Sequence, residues 1–195
     1  MPPCGRSAQG HNKPMKIGEL RSIANDALAS AGLEERKLFV KGAKAWCLPG
    51  GALTRFFQPQ PYRRGWGFVF TGLMGLEIPE LRQWIVQHHL TDAGIFHHSF
   101  VTYHTLNDAD RSNFMIEEGE PVPVDQWAAA IHHKLANLPS TIEDLVSTYR
   151  AKPERLGLLA ASPQAPAWRF LMHWVDSPDA ALNIPRSNEN GRIVE

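Results

Sequence analysis

The sequence GWGFVFTGLMGLEI, at residues Gly65–Ile78, decides the fold because it is the clearest strand pattern in the chain. Side chains of a strand point alternately to opposite faces, so every second residue shares a face. The alternate face holding most of the large apolar residues comprises Trp66, Phe68, Phe70, Met74, Leu76 and Ile78. The pattern predicts one central strand of an antiparallel sheet with one covered face.

Helical periodicity surrounds this strand, with apolar residues spaced three or four apart. Gly32 follows the first such segment as a helix C-cap would, and Pro79 suits a first-turn position. Ser140, with Glu143 three residues on, matches a capping box. The predicted helices are Met15–Ala31, Pro79–Leu90, Val124–Leu138, Thr141–Arg150, Lys152–Ala161 and Ala167–Val175.

Other segments are predicted as strands and loops. Further strands are predicted at Lys37–Leu48, Ala52–Gln58 and Ile95–Leu106, with a short one at Phe114–Ile116. Pro59–Arg64 reads as a loop because its two prolines cannot donate to a strand ladder. The fold class is therefore predicted to be α+β. An antiparallel sheet is covered by the first helix and the helix after Pro79, with a helical C-terminal part from about residue 124.

The 195 residues fit a single domain with tails. Residues 1–14 are predicted to be a disordered tail, 15–175 the domain, and 176–195 a polar tail. Translation from Met1 and translation from Met15 both fit this division. Cys4 falls in the tail and Cys47 in a strand, so no disulfide is expected and a reducing compartment is the default.

Composition restricts the function classes. The 20 basic residues equal the 20 acidic ones. A general nucleic-acid binder needs a surplus of Lys and Arg, so that class is disfavoured. The sequence contains neither an apolar run long enough for a membrane span nor an N-terminal secretory pattern, and we expect a cytoplasmic protein without a membrane partner.

Nine histidines invite a metal-site interpretation, which their spacing does not favour. Adjacent histidines on a helix or strand point apart, and His98 and His104 lie about 20 Å apart along an extended strand. The sequence has no metal-ligand motif, and neither a metal nor a cofactor is predicted. A cleft lined by His98 and His104 remains an alternative site.

The glycines of the deciding stretch do not match a phosphate-binding template. Gly65 and Gly67 are followed by Gly72 and Gly75, so the GxGxxG spacing fails. Glycines inside a strand pattern more often mark a bulge or a close backbone approach, which is the interpretation we favour.

Two charged clusters are candidate contact surfaces. The first is a basic and aromatic group made of Arg55, Tyr62, Arg63, Arg64 and Trp66, which could stack on and pair with an anionic ligand. The second is an acidic group made of Glu117, Glu118, Glu120 and Asp125, which suits a basic partner surface. Either cluster could instead be a solvated loop.

The order of elements carries a resemblance. A leading amphipathic helix and a Trp-bearing strand precede the segment GFVFTGLMGLEIPELRQWI, and a Leu138-Pro139 junction precedes a capped helix. Over Met15–Arg150 the chain resembles uncharacterised small bacterial α+β domains, some of which are immunity proteins of polymorphic toxin systems. The resemblance implies a fold more than an activity, because such folds host many functions, and it brings no catalytic residues.

Two function hypotheses follow. The first is a non-enzymatic protein-interaction module, immunity-type or regulatory, since the sequence contains no nucleophile elbow or other local catalytic signature. The second is a small enzyme or ligand-binding domain with a His-lined cleft, in which His98 and His104 border a pocket near Arg55 or Tyr62. The sequence leaves the oligomeric state open.

Overall fold

The computed structural model describes residues 15–38, 44–88, 100–103, 115–151, 171–172, 174–178, 186–187 and 193–194. The named helices are α1 (Ile17–Ser30), α2 (Pro79–Gln87), α3 (Val124–Ala136) and α4 (Ile142–Ala151). The strands are β1 (Glu34–Lys37), β2 (Lys44–Leu48), β3 (Thr54–Pro59), β4 (Tyr62–Arg64), β5 (Gly67–Val69), β6 (Gly72–Glu77), β7 (Phe100–Tyr103), β8 (Met115–Glu117), β9 (Arg186–Ser187) and β10 (Ile193–Val194). The predicted α+β class is confirmed.

Two antiparallel sheets organise these strands. The larger sheet has five strands in the order β1-β2-β3-β6-β7, one more than the sequence predicts. The smaller sheet has three strands in the order β4-β5-β8. The short strands β9 and β10 form a separate antiparallel pair.

The prediction that Gly65–Ile78 is a single central strand is wrong. β5 ends at Val69 in the smaller sheet, and β6 begins at Gly72 in the larger one. A Cβ at Gly72 would lie 2.4 Å from both the Gln58 carbonyl oxygen and Cε2 of Phe57. Only glycine permits so close an approach, so packing requires a glycine at this position. The deciding stretch therefore joins the two sheets.

Both faces of the larger sheet are buried, whereas the sequence predicted one covered face. Phe56 and Phe57 follow each other on β3 and point to opposite faces, yet both are buried. Phe56 belongs to a small cluster with Cys47 and Ala45. Phe57 belongs to the main core, which α1 and α3 share. The second strand face is therefore a core surface too.

The main core joins α1 and α3 to the two sheets. Phe70 stacks on Trp127 of α3 with ring centroids 4.8 Å apart and an interplanar angle of 5°. The indole Nε1 of Trp46 donates a hydrogen bond to Oδ1 of Asn25 on α1 at 3.1 Å. α1 and α3 thus cover the sheet, as was predicted for α1. α2, which was also predicted to cover it, buries Leu81 and Ile85 completely.

The predicted end of α1 is confirmed, and the predicted start of α4 is not. α1 ends as predicted, with Gly32 at a φ of +84° and the Leu33 amide donating to the Leu28 carbonyl, as in a Schellman motif. The predicted Ser140 cap is wrong, because Thr141 Oγ1 accepts the Asp144 amide at 3.1 Å. The Ser140 carbonyl instead accepts amides from the 52–53 segment.

Two segments depart from their predicted bounds. Lys37–Leu48 contains the end of β1 and all of β2, which pair with each other, so it is not one strand. The predicted loop Pro59–Arg64 contains β4. The predicted tail at 1–14, the helix Lys152–Ala161 and most of the segments at 95–106 and 179–195 lie outside the described residues.

Candidate functional site

The smaller sheet has one face in the core and a second face that is exposed at its edge strands, although the central residues Gly67 and Val69 are buried. In β4, Arg63 pairs with Phe68 of β5, which pairs with Ile116 of β8. Directly paired residues share a face, and Phe68 and Ile116 belong to the main core. The flanking rows must point the opposite way, because successive residues alternate.

Those two rows form what we call the outer face. One row is Tyr62, Val69 and Met115, and the other is Arg64, Gly67 and Glu117. Tyr62 and Met115 are each 40% exposed, and Arg64 and Glu117 are exposed as well. The outer face therefore presents two large apolar side chains beside one cationic and one anionic group.

Trp66 extends the outer face into the turn between β4 and β5. Its side chain is 46% exposed, while its carbonyl accepts the Glu118 amide at 3.0 Å. The backbone of the turn is therefore held against the β8 end, although the indole is open to solvent. An indole held on a fixed backbone is a good anchor for a partner, because little conformational freedom remains to be lost on binding.

Gly67 is the residue that lets β8 approach the hairpin. A Cβ at this position would lie 2.0 Å from the Ile116 carbonyl oxygen and 2.9 Å from Cα of Glu117. Any other residue would push β8 away, so the structure requires glycine at this position. The expectation that glycines of this stretch mark a close backbone approach is confirmed here.

Two arginines of the hairpin have different surroundings. The guanidinium of Arg64 lies over the Tyr62 ring, with Cζ 5.1 Å from its centroid. Arg63 points to the other face, where its guanidinium lies 5.7 Å from the Phe68 centroid and pairs with Glu118 at 2.9 Å. Among the described residues Glu117 has no ion pair. The two charges of the outer face, Arg64 and Glu117, flank Gly67.

Arg55 does not belong to this surface, although the sequence grouped it with Tyr62. It lies near the start of β3, whereas Tyr62 follows the end of that strand. Its guanidinium donates a hydrogen bond to the Gly50 carbonyl at 3.1 Å, and its Nε is buried without a partner among the described residues. Arg55 therefore ties the turn after β2 to the sheet.

The predicted histidine site cannot be placed. His98 and His104 flank β7 in sequence, and both lie outside the described residues. Within the described part of the chain, no group of three or more His, Cys, Asp or Glu side chains could hold a metal ion.

Two buried titratable groups lie on the larger sheet, away from the outer face. Burial raises the pKa of the Cys47 thiol to about 11, so the thiol is protonated at neutral pH and is a poor nucleophile. Burial also raises the pKa of Glu77, and the Arg82 guanidinium paired with it partly opposes that rise. Burial on the larger sheet therefore accounts for both raised pKa values.

Sequence reasoning found part of the outer face and missed the rest. The sequence grouped Tyr62, Arg64 and Trp66, which lie on or beside the outer face, and it placed Glu117 in a separate acidic cluster. Met115 was not singled out, although the short strand predicted at Phe114–Ile116 was a signal for it. What the sequence lacked was the pairing of β5 with β8, which brings Glu117 opposite Gly67.

Comparisons with known proteins add no relative. No family model matches the chain, and no curated protein or solved structure matches it either. Searching the described residues also finds no helix both long and apolar enough to cross a membrane.

Proposed function

We propose that this chain is a non-enzymatic protein-interaction module that binds its partner through the outer face and Trp66. The observation that carries the proposal is the distribution of exposed apolar side chains. Of the five large hydrophobic side chains exposed among the described residues, three lie on or beside the smaller sheet: Tyr62, Trp66 and Met115. The other two, Ile23 and Val86, lie singly on α1 and α2.

Clustering is what separates this surface from ordinary exposed residues. Apolar residues scattered singly on a surface are normal, whereas contiguous ones are typical of interaction sites. Interface hot spots are enriched in Trp, Tyr and Arg, the residue types of Tyr62, Arg64 and Trp66. Nothing in the core requires these three types, because the hairpin already packs through Phe68.

The biological role we propose is that of an immunity-type or regulatory binding protein of the bacterial cytoplasm. The resemblance in element order supports this role, as does a balanced charge that disfavours general binding to nucleic acid. The protonated, buried thiol of Cys47 supports a non-enzymatic role, because it removes one candidate nucleophile.

Affinity capture with matched variants tests the proposal. Tagged wild-type protein and the variant Tyr62→Ala/Trp66→Ala would be expressed in the native host beside the untagged chain, cross-linked so that weak complexes survive, and purified under identical conditions. The control Ile23→Ala/Val86→Ala removes two apolar side chains of comparable exposure from other surfaces. We expect a stoichiometric partner with the wild type and the control, and its loss with Tyr62→Ala/Trp66→Ala.

Two results would contradict the proposal. One is equal recovery of the partner with the Tyr62→Ala/Trp66→Ala variant, which would place the contact elsewhere. The other is recovery of no stoichiometric partner, neither another protein nor the untagged chain, under any condition by correctly folded wild-type protein. Circular dichroism of each purified variant separates loss of binding from loss of fold.

A further inference from the structure

We infer that the outer face binds a second copy of this chain in a two-fold symmetric dimer. The inference rests on the proposed function, since it names the occupant of the same surface. Its basis is the arrangement of charge and apolar residues in the two rows of the outer face. Each row has β4 at one edge and β8 at the other, with β5 between them.

The outer face is complementary to itself under one particular rotation. A two-fold axis parallel to β5, lying between two facing copies, places β4 of one copy over β8 of the other. Arg64 of each copy then faces Glu117 of its partner, and Tyr62 faces Met115 of its partner. Every contact therefore occurs twice, as an isologous interface requires.

The central strand does not obstruct this arrangement. Gly67 separates Arg64 from Glu117 in its row and has no side chain, and Val69 separates Tyr62 from Met115 and is buried. The large side chains therefore stand at the two edges. Two sheets stacked in this way keep their strands aligned, which is one of the two common packings of sheets.

Charge favours a copy of this chain over a uniformly charged partner. An acidic partner would be attracted by Arg64 and repelled by Glu117. A basic partner would be repelled by Arg64 and attracted by Glu117. A second copy satisfies both charges at once. Like charges brought together at an interface are strongly unfavourable, so this pattern selects its own complement.

The size of the outer face sets the strength of the dimer. Three strands about 4.8 Å apart, each with three residues rising about 3.4 Å, cover only about 10–15 Å in each direction. A standard interface buries about 800 Å² per partner, several times more. We therefore expect a weak, concentration-dependent dimer with a dissociation constant on the order of 100 µM.

Charge reversal gives a decisive test by sedimentation equilibrium. In Arg64→Glu both facing pairs become Glu opposite Glu, and in Glu117→Arg both become Arg opposite Arg. In a mixture of the two variants, each facing pair is again Glu opposite Arg. We expect each variant alone to self-associate at least about tenfold more weakly than the wild type, and the mixture to recover to within about threefold.

The controls carry the same charge changes on another surface. Arg21→Glu and Asp26→Arg alter exposed residues of α1 and should leave self-association unchanged, alone or mixed. Recovery in the Arg64→Glu and Glu117→Arg mixture also shows that both variants are folded. In an equimolar mixture of wild type with either variant, only wild-type homodimers should form at wild-type strength, because the mixed dimer retains one like-charge pair.

Three results would overturn the dimer. They are a wild type that stays monomeric up to about 1 mM, a mixture as weak as its components, and species larger than a dimer, which indicate head-to-tail contact. The proposed function fails in a different way, when capture of another protein and self-association are both unchanged in Tyr62→Ala/Trp66→Ala. Failure of the charge-reversal series alone leaves that capture result intact.

Discussion

In the five-stranded sheet, Phe56 and Phe57 are both buried although they point to opposite faces, whereas one face of the three-stranded sheet has exposed side chains at its edge strands, around a buried central strand. Phe68 packs into the core, and the side chains of Tyr62 and Met115 on the other face stay exposed. The two sheets share the stretch Gly65–Ile78, so the contrast lies within a few residues of one chain.

The fold explains why some apolar side chains are present, because they are buried, and it does not explain others, which are exposed. On the larger sheet, burial accounts for both apolar faces. On the outer face of the smaller sheet, large apolar side chains remain in water, where they add little to folding. Stability measurements can therefore test the contrast, since buried and outer-face substitutions should differ greatly.

The largest loss is expected at the junction of the two sheets. Phe70 is 1% exposed, stacks on Trp127 and packs against Phe57 with ring centroids 6.0 Å apart. Phe70→Ala should lower the free energy of unfolding by about 3–5 kcal/mol, because it leaves a cavity in the core. Urea denaturation followed by far-UV circular dichroism measures the change. Val86→Ala, at a 46% exposed site, serves as a control and should change it by less than about 0.5 kcal/mol.

A smaller and more local loss is expected from Gly67→Ala. The added methyl would meet the Ile116 carbonyl oxygen, so β8 must move away from β5. Overpacking of this kind costs about 1–3 kcal/mol, and faster amide hydrogen exchange should be confined to β5 and β8. Gly65→Ala in the same hairpin is the matched control, because its added methyl would meet nothing within 4 Å. Equal exchange in the two variants would contradict the close approach of β8.

The sequence predicted those elements that local periodicity determines. α1 was found nearly in full because its apolar residues repeat along one face, and its Gly32 end follows from backbone conformation. The break between β5 and β6 was missed because it depends on the contact of Gly72 with Phe57, which precedes it on another strand. The outer face was half found for the same reason, since Glu117 reaches Gly67 only through pairing across about 50 residues.

The third prediction concerns the pH dependence of the larger sheet. Burial raises the folded-state pKa of Glu77 above its ordinary 4.5, so the native state binds the proton more tightly than the unfolded state. This contribution to stability is present below pH 4.5 and is lost as the pH rises to the raised pKa. The unfolding midpoint of the wild type, relative to Glu77→Gln, should therefore fall as the pH increases from 4.5. A difference that is flat or increases with pH would show that the ion pair with Arg82 outweighs burial.

The smallest change in the free energy of unfolding is expected on the outer face. Its size tests whether the outer face differs from the buried face of the same sheet. Tyr62→Ala removes a 40% exposed ring and its contact with Arg64, so the free energy of unfolding should change by no more than about 1 kcal/mol. The same truncation at Phe68, on the buried face of the same hairpin, should cost about 3–5 kcal/mol. Both changes are measured by urea denaturation at low protein concentration, where a weak dimer does not contribute.

A loss above about 2 kcal/mol at Tyr62 would mean that the outer face is packed against the protein itself, at a strength typical of buried side chains. The exposed cluster would then be part of the fold, and neither a partner nor a second copy would be needed to account for it. A small loss at Tyr62 together with a large loss at Phe68 leaves the outer face without a structural purpose. Binding is then the property that can still explain why Tyr62, Arg64 and Trp66 lie together in water.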